Sequence, residues 1–323
     1  LEAYGCCCLG AVNLAQHIHE GDMDWEGLAE TVTVGVRLLD NVLDVNQYPI
    51  KEIEINCQKV RRIGLGIMGL GHALVKMGYK YGSAEGNAQV DKIMKFIKER
   101  AYEASTFLAV ERGPFEAYNE NFLNSGFIKT LPRRIKQNIR EHGVRNCALL
   151  TIAPTGTTSM VMGTSSGIEP IFAPGYLRRY YDSDSKSNDR VLKEEIVVDP
   201  LFKELYETES DMSSFVASSE LSVRNHMEVQ AICQKHIDNS ISKTINIPEN
   251  YDIEDYGNLM LEFGPQLKGM TVYRQGSRGN EPLSPISVEM AIDYLHNAEV
   301  IEGVAANDCP SGICELPISI PQQ

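Results

Sequence analysis

The sequence predicts an α/β chain, and three observations carry that expectation. Short runs that are apolar on both faces, as strands covered on two sides are, lie at residues 8–14, 147–153, 214–217 and 270–273. Segments of helix length with apolar residues at 3.6-residue spacing lie between them. Strands and helices alternating in this way define the α/β class.

The first helix starts after Asp24, a good N-cap, and Leu28, Val32, Gly35, Leu39 and Val42 recur along one face up to Asp44. A second runs from about Ser83 to Arg112 on the stripe Val90, Ile93, Ile97, Ala101, Ala104 and Leu108, and Gly113-Pro114 stops it. Further helices are expected around residues 133–141, 225–242 and 285–297. The polar stretch 182–190 reads as an exposed loop. Periodicity fades from Glu299 onward, which predicts two parts: a main domain over residues 1–298 and a flexible tail over 299–323.

Composition narrows the function. The 323 residues carry 30 Lys plus Arg against 44 Asp plus Glu, a net charge of −14. So acidic a chain argues against nucleic acid and against anionic membranes, since both need a basic footprint. No apolar run approaches a membrane span, and no signal peptide is visible. Eight cysteines are too sparse for a disulfide scaffold, so a reducing cytoplasm is the expected compartment.

Four patterns invite chemistry. Gly64-Leu-Gly-Ile-Met-Gly69 fits G-x-G-x-x-G, but a dinucleotide site needs a strand before it. Gln58-Lys-Val-Arg-Arg62 is too charged for one, so small residues that let a helix pack closely are the expected account. A nicotinamide-dependent oxidoreductase is the alternative that this motif keeps in play. Pro154-Thr155-Gly156-Thr157-Thr158-Ser159 follows an apolar strand and precedes a helix. It suits a phosphate or diphosphate, and equally a plain N-cap and turn. Cys6-Cys7-Cys8 precedes an apolar run; consecutive thiols cannot clamp zinc, and no other metal site is expected. Alternation puts Cys7 on the face opposite Cys6 and Cys8, where it can meet a cavity, while Cys57, Cys147 and Cys233 read as core. Cys309-Pro-Ser-Gly-Ile-Cys314 can close into a disulfide and serve as a redox-active dithiol.

Together these patterns resemble the C-terminal half of a ribonucleotide reductase large chain, most closely the adenosylcobalamin-dependent, class II type. Cys7-Cys-Leu-Gly-Ala-Val-Asn-Leu14 is similar to the family's segment around its second active-site thiol, with Cys7 on that thiol. Segments 39–46, 62–70 and 238–246 look like family signatures. Residues 153–159 with Ser166-Gly-Ile-Glu-Pro170 resemble the loop for the substrate diphosphate, Thr271-Val-Tyr-Arg-Gln-Gly-Ser-Arg278 the last part of the barrel, and Cys309 and Cys314 the tail dithiol. The resemblance implies the C-terminal part of a ten-stranded α/β barrel.

It also implies a thiyl radical that takes the 3′ hydrogen from a ribonucleotide, a carboxylate that assists loss of the 2′ hydroxyl, and two electrons from a thiol pair that includes Cys7. The family's radical thiol and carboxylate lie in an N-x-C-x-E motif, and this sequence contains no C-x-E. The expected partners are therefore an N-terminal reductase half carrying that motif, the ribonucleotide, and a thioredoxin-like reductant for the tail. Half a barrel leaves strand edges unpaired, so poor solubility or self-association, as in a homodimer, is expected. Class I relatives carry two adjacent tyrosines where this chain reads Tyr273-Arg274; that favours adenosylcobalamin as cofactor over a class I large chain.

Overall fold

In the computed structural model, residues 1–181, 192–275 and 283–305 are described. Two units divide the chain: residues 1–173 with 200–281, and residues 174–199 with 282–323.

The larger unit begins with β1 (Cys8–Asn13), α1 (Trp25–Val45) and α2 (Lys51–Val60). The Asp24 carboxylate accepts the Gly27 N–H at 2.9 Å, as its N-cap position predicts. Leu28, Val32, Val36, Leu39 and Leu43 form the buried stripe of α1. Next come β2 (Ile63–Met68), α3 (Leu70–Lys76) and α4 (Ala84–Arg112). Ser83 caps α4 and Gly113 ends it. α1 packs on α4 and on β1 and β2, closing a core that includes Ile63, Leu65, Ile67, Ile93 and Ile97. Each such side chain, fully buried, contributes roughly 1.5–3 kcal/mol.

The chain continues through α5 (Arg133–His142) and α6 (Gly156–Val161). The smaller unit contributes β3 (Gly175–Tyr181) and β4 (Leu192–Val198). The larger unit resumes with α7 (Pro200–Glu207), α8 (Val223–Gln234), β5 (Thr244–Ile247), α9 (Ile253–Phe263) and β6 (Thr271–Arg274). The smaller unit then adds β7 (Leu283–Ile286) and α10 (Val288–Ala305). Its sheet is antiparallel, with β3 between β4 and β7.

All strand pairing in the main sheet of the larger unit is parallel. β1 pairs β2 from Cys8 opposite Ile63 to Asn13 opposite Met68. The extended segment 148–152 lies on the other side of β2, bridged at Leu65–Leu150. It meets the next strand at Ile152–Ile241, and that strand runs on into β5, which pairs β6. The lateral order is β1, β2, 148–152, 241–247, β6. Among the described residues the two edges carry half-exposed apolar side chains, Leu9 on β1 and Val272 on β6.

The α/β expectation therefore holds, and several elements differ in detail. The G-x-G-x-x-G stretch is not a close-packed helix: residues 63–68 form a strand buried on both faces, and the helix begins only at Leu70. Of the charged residues before it, Lys59 belongs to α2, Arg61 is that helix's C-cap in the left-handed region (φ 49°), and Arg62 leads into the strand. Gly66 sits where 148–152 crosses β2 closely, and a Cβ there would lie 2.2 Å from the Thr151 carbonyl oxygen. The helix expected over 225–242 ends at Gln234, because Asp238 and Asn239 bond to the backbone of 148–152 instead of continuing the helix. The helix expected from residue 285 starts at Val288; its first residues form β7, and it extends to Ala305. Residues 214–217 make one bridge, Ile171–Ala217, and no strand. Residues 182–190 lie outside the described residues.

Candidate active site

Cys7 sits immediately before β1 rather than within it, so the strand alternation expected to aim it does not apply. Its setting comes from β2. A Cβ on Gly64 would lie 2.8 Å from the Cys7 sulfur, 2.6 Å from Cγ2 of Thr151 and 2.8 Å from Cδ2 of Leu9. Glycine at 64 is thus what lets the thiol and Thr151 close over the sheet. Burial pushes the Cys7 thiol up to about 11, against the opposing pull of Arg62. Cys147 is also raised to about 11 by burial, with Arg62 again lowering it and Cys7 and Asp238 raising it.

These groups share one guanidinium. Arg62 donates to the Asn239 side-chain oxygen at 2.9 Å and pairs with Glu2 at 3.1 Å. Asp238, part-buried, accepts from the Tyr102 hydroxyl (2.7 Å) and from the Leu149 and Leu150 N–H groups (2.9 and 2.8 Å). Desolvation outweighs these bonds and raises its pKa. Arg62, Tyr102, Phe127, Cys147, Asp238 and Lys268 line a cavity of about 520 Å³. Cys147, expected in the core, thus stands on a cavity wall, and Cys7 does not line that cavity.

Thiolate is the alkylatable form of cysteine, so the Cys7 shift has a direct readout. Iodoacetamide labelling of Cys7 is expected to accelerate about tenfold per pH unit all the way from pH 7 to 10, followed by peptide mass spectrometry. An unperturbed thiol flattens above about pH 8.5; a plateau there for Cys7 would contradict its burial.

The strand beside Cys7 runs straight into the second site. After Ile152 the chain turns through Pro154 and Thr155, which adopts φ 52° and begins α6. Within this loop the hydroxyls divide. Thr155 Oγ1 accepts the Gly167 N–H at 2.8 Å. Ser159 is buried, donates to the Gly156 carbonyl at 3.1 Å, and meets the Ser166 hydroxyl at 2.7 Å. Both build the loop. Gly156, Thr157 and Thr158 are exposed, and their N–H groups are the first three of the helix, which have no acceptor within it. The first intrahelical bond is Ser159 N–H to Thr155 O at 2.8 Å. Three N–H groups without a helical acceptor and two hydroxyls on exposed residues therefore lie within three consecutive positions, a donor set suited to phosphate oxygens.

Sequence reasoning missed the support behind this loop. Glu169 accepts the Thr244 N–H at 2.6 Å with one oxygen and the Lys243 ammonium at 2.6 Å with the other. Lys243, fully buried, also donates to His226 Nδ1 at 3.0 Å and to the Thr244 carbonyl. Burial and the adjacent ammonium push His226 down to about 3, so it stays a neutral acceptor. This network ties the segment after α6 to β5. Both Glu169 and Lys243 stand inside quoted signatures, and nothing in either signature reveals that they meet.

Among the described residues no three His, Cys, Asp or Glu side chains gather as a metal site, and no helix is long and apolar enough to cross a membrane. Cys309 and Cys314 lie outside the described residues. The dinucleotide alternative fails on geometry: Gly64 and Gly66 are inside a buried strand, not in a loop that offers N–H groups to a pyrophosphate.

A parallel sheet packed with helices, with a shielded thiol just before its edge strand and a loop of N–H donors at the end of segment 148–152, defines a class that comparison makes explicit. The family model described as the ribonucleotide reductase barrel domain matches residues 2–273, and the chain belongs to this family. It is 34% identical over 322 residues to the vitamin B12-dependent ribonucleoside-diphosphate reductase of Mycobacterium tuberculosis, covering 95% of this chain and 44% of that one. Identity to the enzyme of the same name from Thermoplasma acidophilum is 32% over 342 residues, covering 97% and 42%. The ribonucleoside-diphosphate reductase subunit alpha of Chlamydia muridarum is 39% identical over 189 residues, covering 51% and 18%. The chain spans less than half the length of these relatives.

Proposed function

We propose that this chain is the C-terminal part of a ribonucleotide reductase barrel, acting in the reduction of ribonucleotides to deoxyribonucleotides through thiyl-radical chemistry. The observation that carries the reading is that Thr151 touches the space over Gly64 shared with Cys7, and the same strand opens at Pro154 into the donors of the exposed Gly156, Thr157 and Thr158. The relatives' names make a ribonucleoside diphosphate the substrate we assign.

In this reading the loop N–H groups and the Thr157 and Thr158 hydroxyls hold the diphosphate. That fixes the ribose over the thiols, so that remote binding energy lowers the barrier. Cys7 remains a protonated thiol at neutral pH because burial raises it to about 11. It therefore acts as a reductant in its neutral form rather than as a nucleophile. Cys7 and a facing thiol on the N-terminal part together give up two electrons and two protons. The 2′ hydroxyl leaves as water and a disulfide forms. Cys309 and Cys314 then reduce that disulfide by thiol–disulfide exchange, and an external thioredoxin-like protein reduces them. Residues 1–298 act as the barrel part and 299–323 as the redox tail.

The N-terminal part carrying N-x-C-x-E supplies the radical thiol and the carboxylate, and the half-exposed edges at Leu9 and Val272 are where its strands would pair. β6 bears on the cofactor. The Arg274 guanidinium, bonded to the Glu249 carbonyl, holds the place of a second relay tyrosine, and a guanidinium cannot carry a radical. That donor set fits a radical made in place rather than one relayed from a second subunit. When bound, adenosylcobalamin supplies that initiating radical; we assign none of the described side chains as its ligand.

Replacing both Thr157 and Thr158 by valine removes two hydroxyl donors and leaves Thr155 and Ser159 to build the loop. Each neutral hydrogen bond is worth roughly 0.5–1.5 kcal/mol, so substrate affinity of the enzyme reconstituted with its N-terminal part is expected to fall by about 5- to 100-fold. Equilibrium binding of the diphosphate measures this, and unchanged affinity would place the phosphates elsewhere.

A further inference from the structure

A second thiol pair lies behind Cys7. The Cys6 sulfur stands 2.9 Å from the sulfur of Cys57, a residue 51 positions away. Cys57 is the one buried residue of α2 and is 1% exposed; Cys6 is part-exposed, on the segment that leads into Cys7. Tyr48 faces both sulfurs and is itself pushed up to about 12, chiefly by burial. The leading segment already rests on α2 and its C-cap side: the Asn56 amide donates to Glu2 Oε1 at 3.2 Å and to the Ala3 carbonyl at 3.4 Å, and Arg62 pairs with Glu2. Two sulfurs held in contact by two anchored segments need to close by less than 1 Å to reach the roughly 2.04 Å of a disulfide.

We propose that Cys6 and Cys57 are a reversible disulfide site, oxidised by peroxide-class oxidants, that fastens the segment carrying Cys7 to α2. The more exposed Cys6 thiol reduces hydrogen peroxide and becomes a sulfenic acid, releasing one water. The Cys57 thiol then attacks that sulfur, a second water leaves, and the S–S bond forms. The two thiols lose two electrons and two hydrogens in all, and the peroxide gains them. A dithiol reverses the step by exchange. Burial and its Cys57 neighbour push Cys6 up to about 12, so the site oxidises slowly at neutral pH and faster as pH rises. The bond leaves Cys7 itself reduced, on a segment anchored from both sides. Its effect on turnover rests on the reductase reading, whereas the bond itself does not.

The test is thiol mapping of the 323-residue chain after hydrogen peroxide at pH 8.5. Remaining thiols are blocked under denaturing conditions and peptides are analysed without reduction. The expected result is loss of two titratable thiols beyond those of the Cys309–Cys314 dithiol, a Cys6–Cys57 linked peptide lighter by two hydrogens, and full recovery with dithiothreitol. In Cys6→Ser, and separately in Cys57→Ala, the linked species should be lost. A link from Cys57 to Cys7 or Cys8 that survives in Cys6→Ser would overturn the assignment. So would wild-type chain in which Cys6 and Cys57 stay free while Cys7 is oxidised. Either outcome leaves the reductase reading intact, because neither tests deoxynucleotide formation.

Discussion

Cys7→Ser is expected to abolish sustained deoxynucleotide formation by the enzyme reconstituted with its N-terminal part, whatever reductant is supplied. A hydroxyl fills nearly the same space over Gly64 and beside Thr151, so the fold and the phosphate loop should survive. What serine cannot do is give up an electron and a proton to form a disulfide. The tail variant should behave differently. Cys309→Ser combined with Cys314→Ser should spare a single turnover from pre-reduced enzyme, fail to cycle with thioredoxin, and partly recover with dithiothreitol, which is small enough to reach Cys7 directly. The measurement is deoxynucleotide formed per active site with each reductant. Normal cycling of the tail double variant with thioredoxin would remove the shuttle role from Cys309 and Cys314.

Asp40→Ala is expected to destabilise the chain by about 3–5 kcal/mol, the usual cost of removing one partner from a buried ion pair. Asp40 is fully buried on α1. Its Oδ1 accepts from Arg61 Nε at 2.8 Å and from the Asn146 amide at 3.0 Å, while Oδ2 meets Arg145 Nε at 3.3 Å. Its carbonyl accepts from Arg61 Nη2 at 2.9 Å. Without the carboxylate, Arg61 keeps Asp44 (2.8 Å), but the Asn146 amide loses one of its two acceptors. Asp40→Asn, which keeps an acceptor and loses the charge, should fall between. Urea unfolding of wild type and both variants measures the effect, and a loss below about 1 kcal/mol would contradict the role given to Asp40. The same geometry gives the signature over 39–46 a structural job: it holds α1 to the entry of β2 and of segment 148–152.

α1 and α4 were legible because their signals are local. Asp24 and Ser83 cap within three residues, and one apolar stripe repeats along each helix. β2 was not. A strand buried on both faces has no alternation, and its glycines are set by a neighbour more than 80 residues away, Thr151, which no short window contains. The end of α8 was missed for a similar reason. Apolar spacing continues past Gln234, but Asp238 is captured by the N–H groups of Leu149 and Leu150. The loop over 154–159 was legible as a strand–loop–helix pattern. Its division of labour was not, because Thr155 and Ser159 take their partners, Gly167 and Ser166, from the following turn. Cys147 reads as core in any apolar run, and only the fold sets it beside Arg62 on the cavity wall.

The central claim is that this chain holds a reducing thiol and a phosphate loop that work only with an N-terminal part carrying N-x-C-x-E. The most direct measurement is deoxyribonucleoside diphosphate formation from a ribonucleoside diphosphate, with adenosylcobalamin and dithiothreitol, by the chain alone and after mixing with that N-terminal part. The account predicts no product from the chain alone and sustained product from the mixture. Deoxynucleotide made by the chain alone would contradict it.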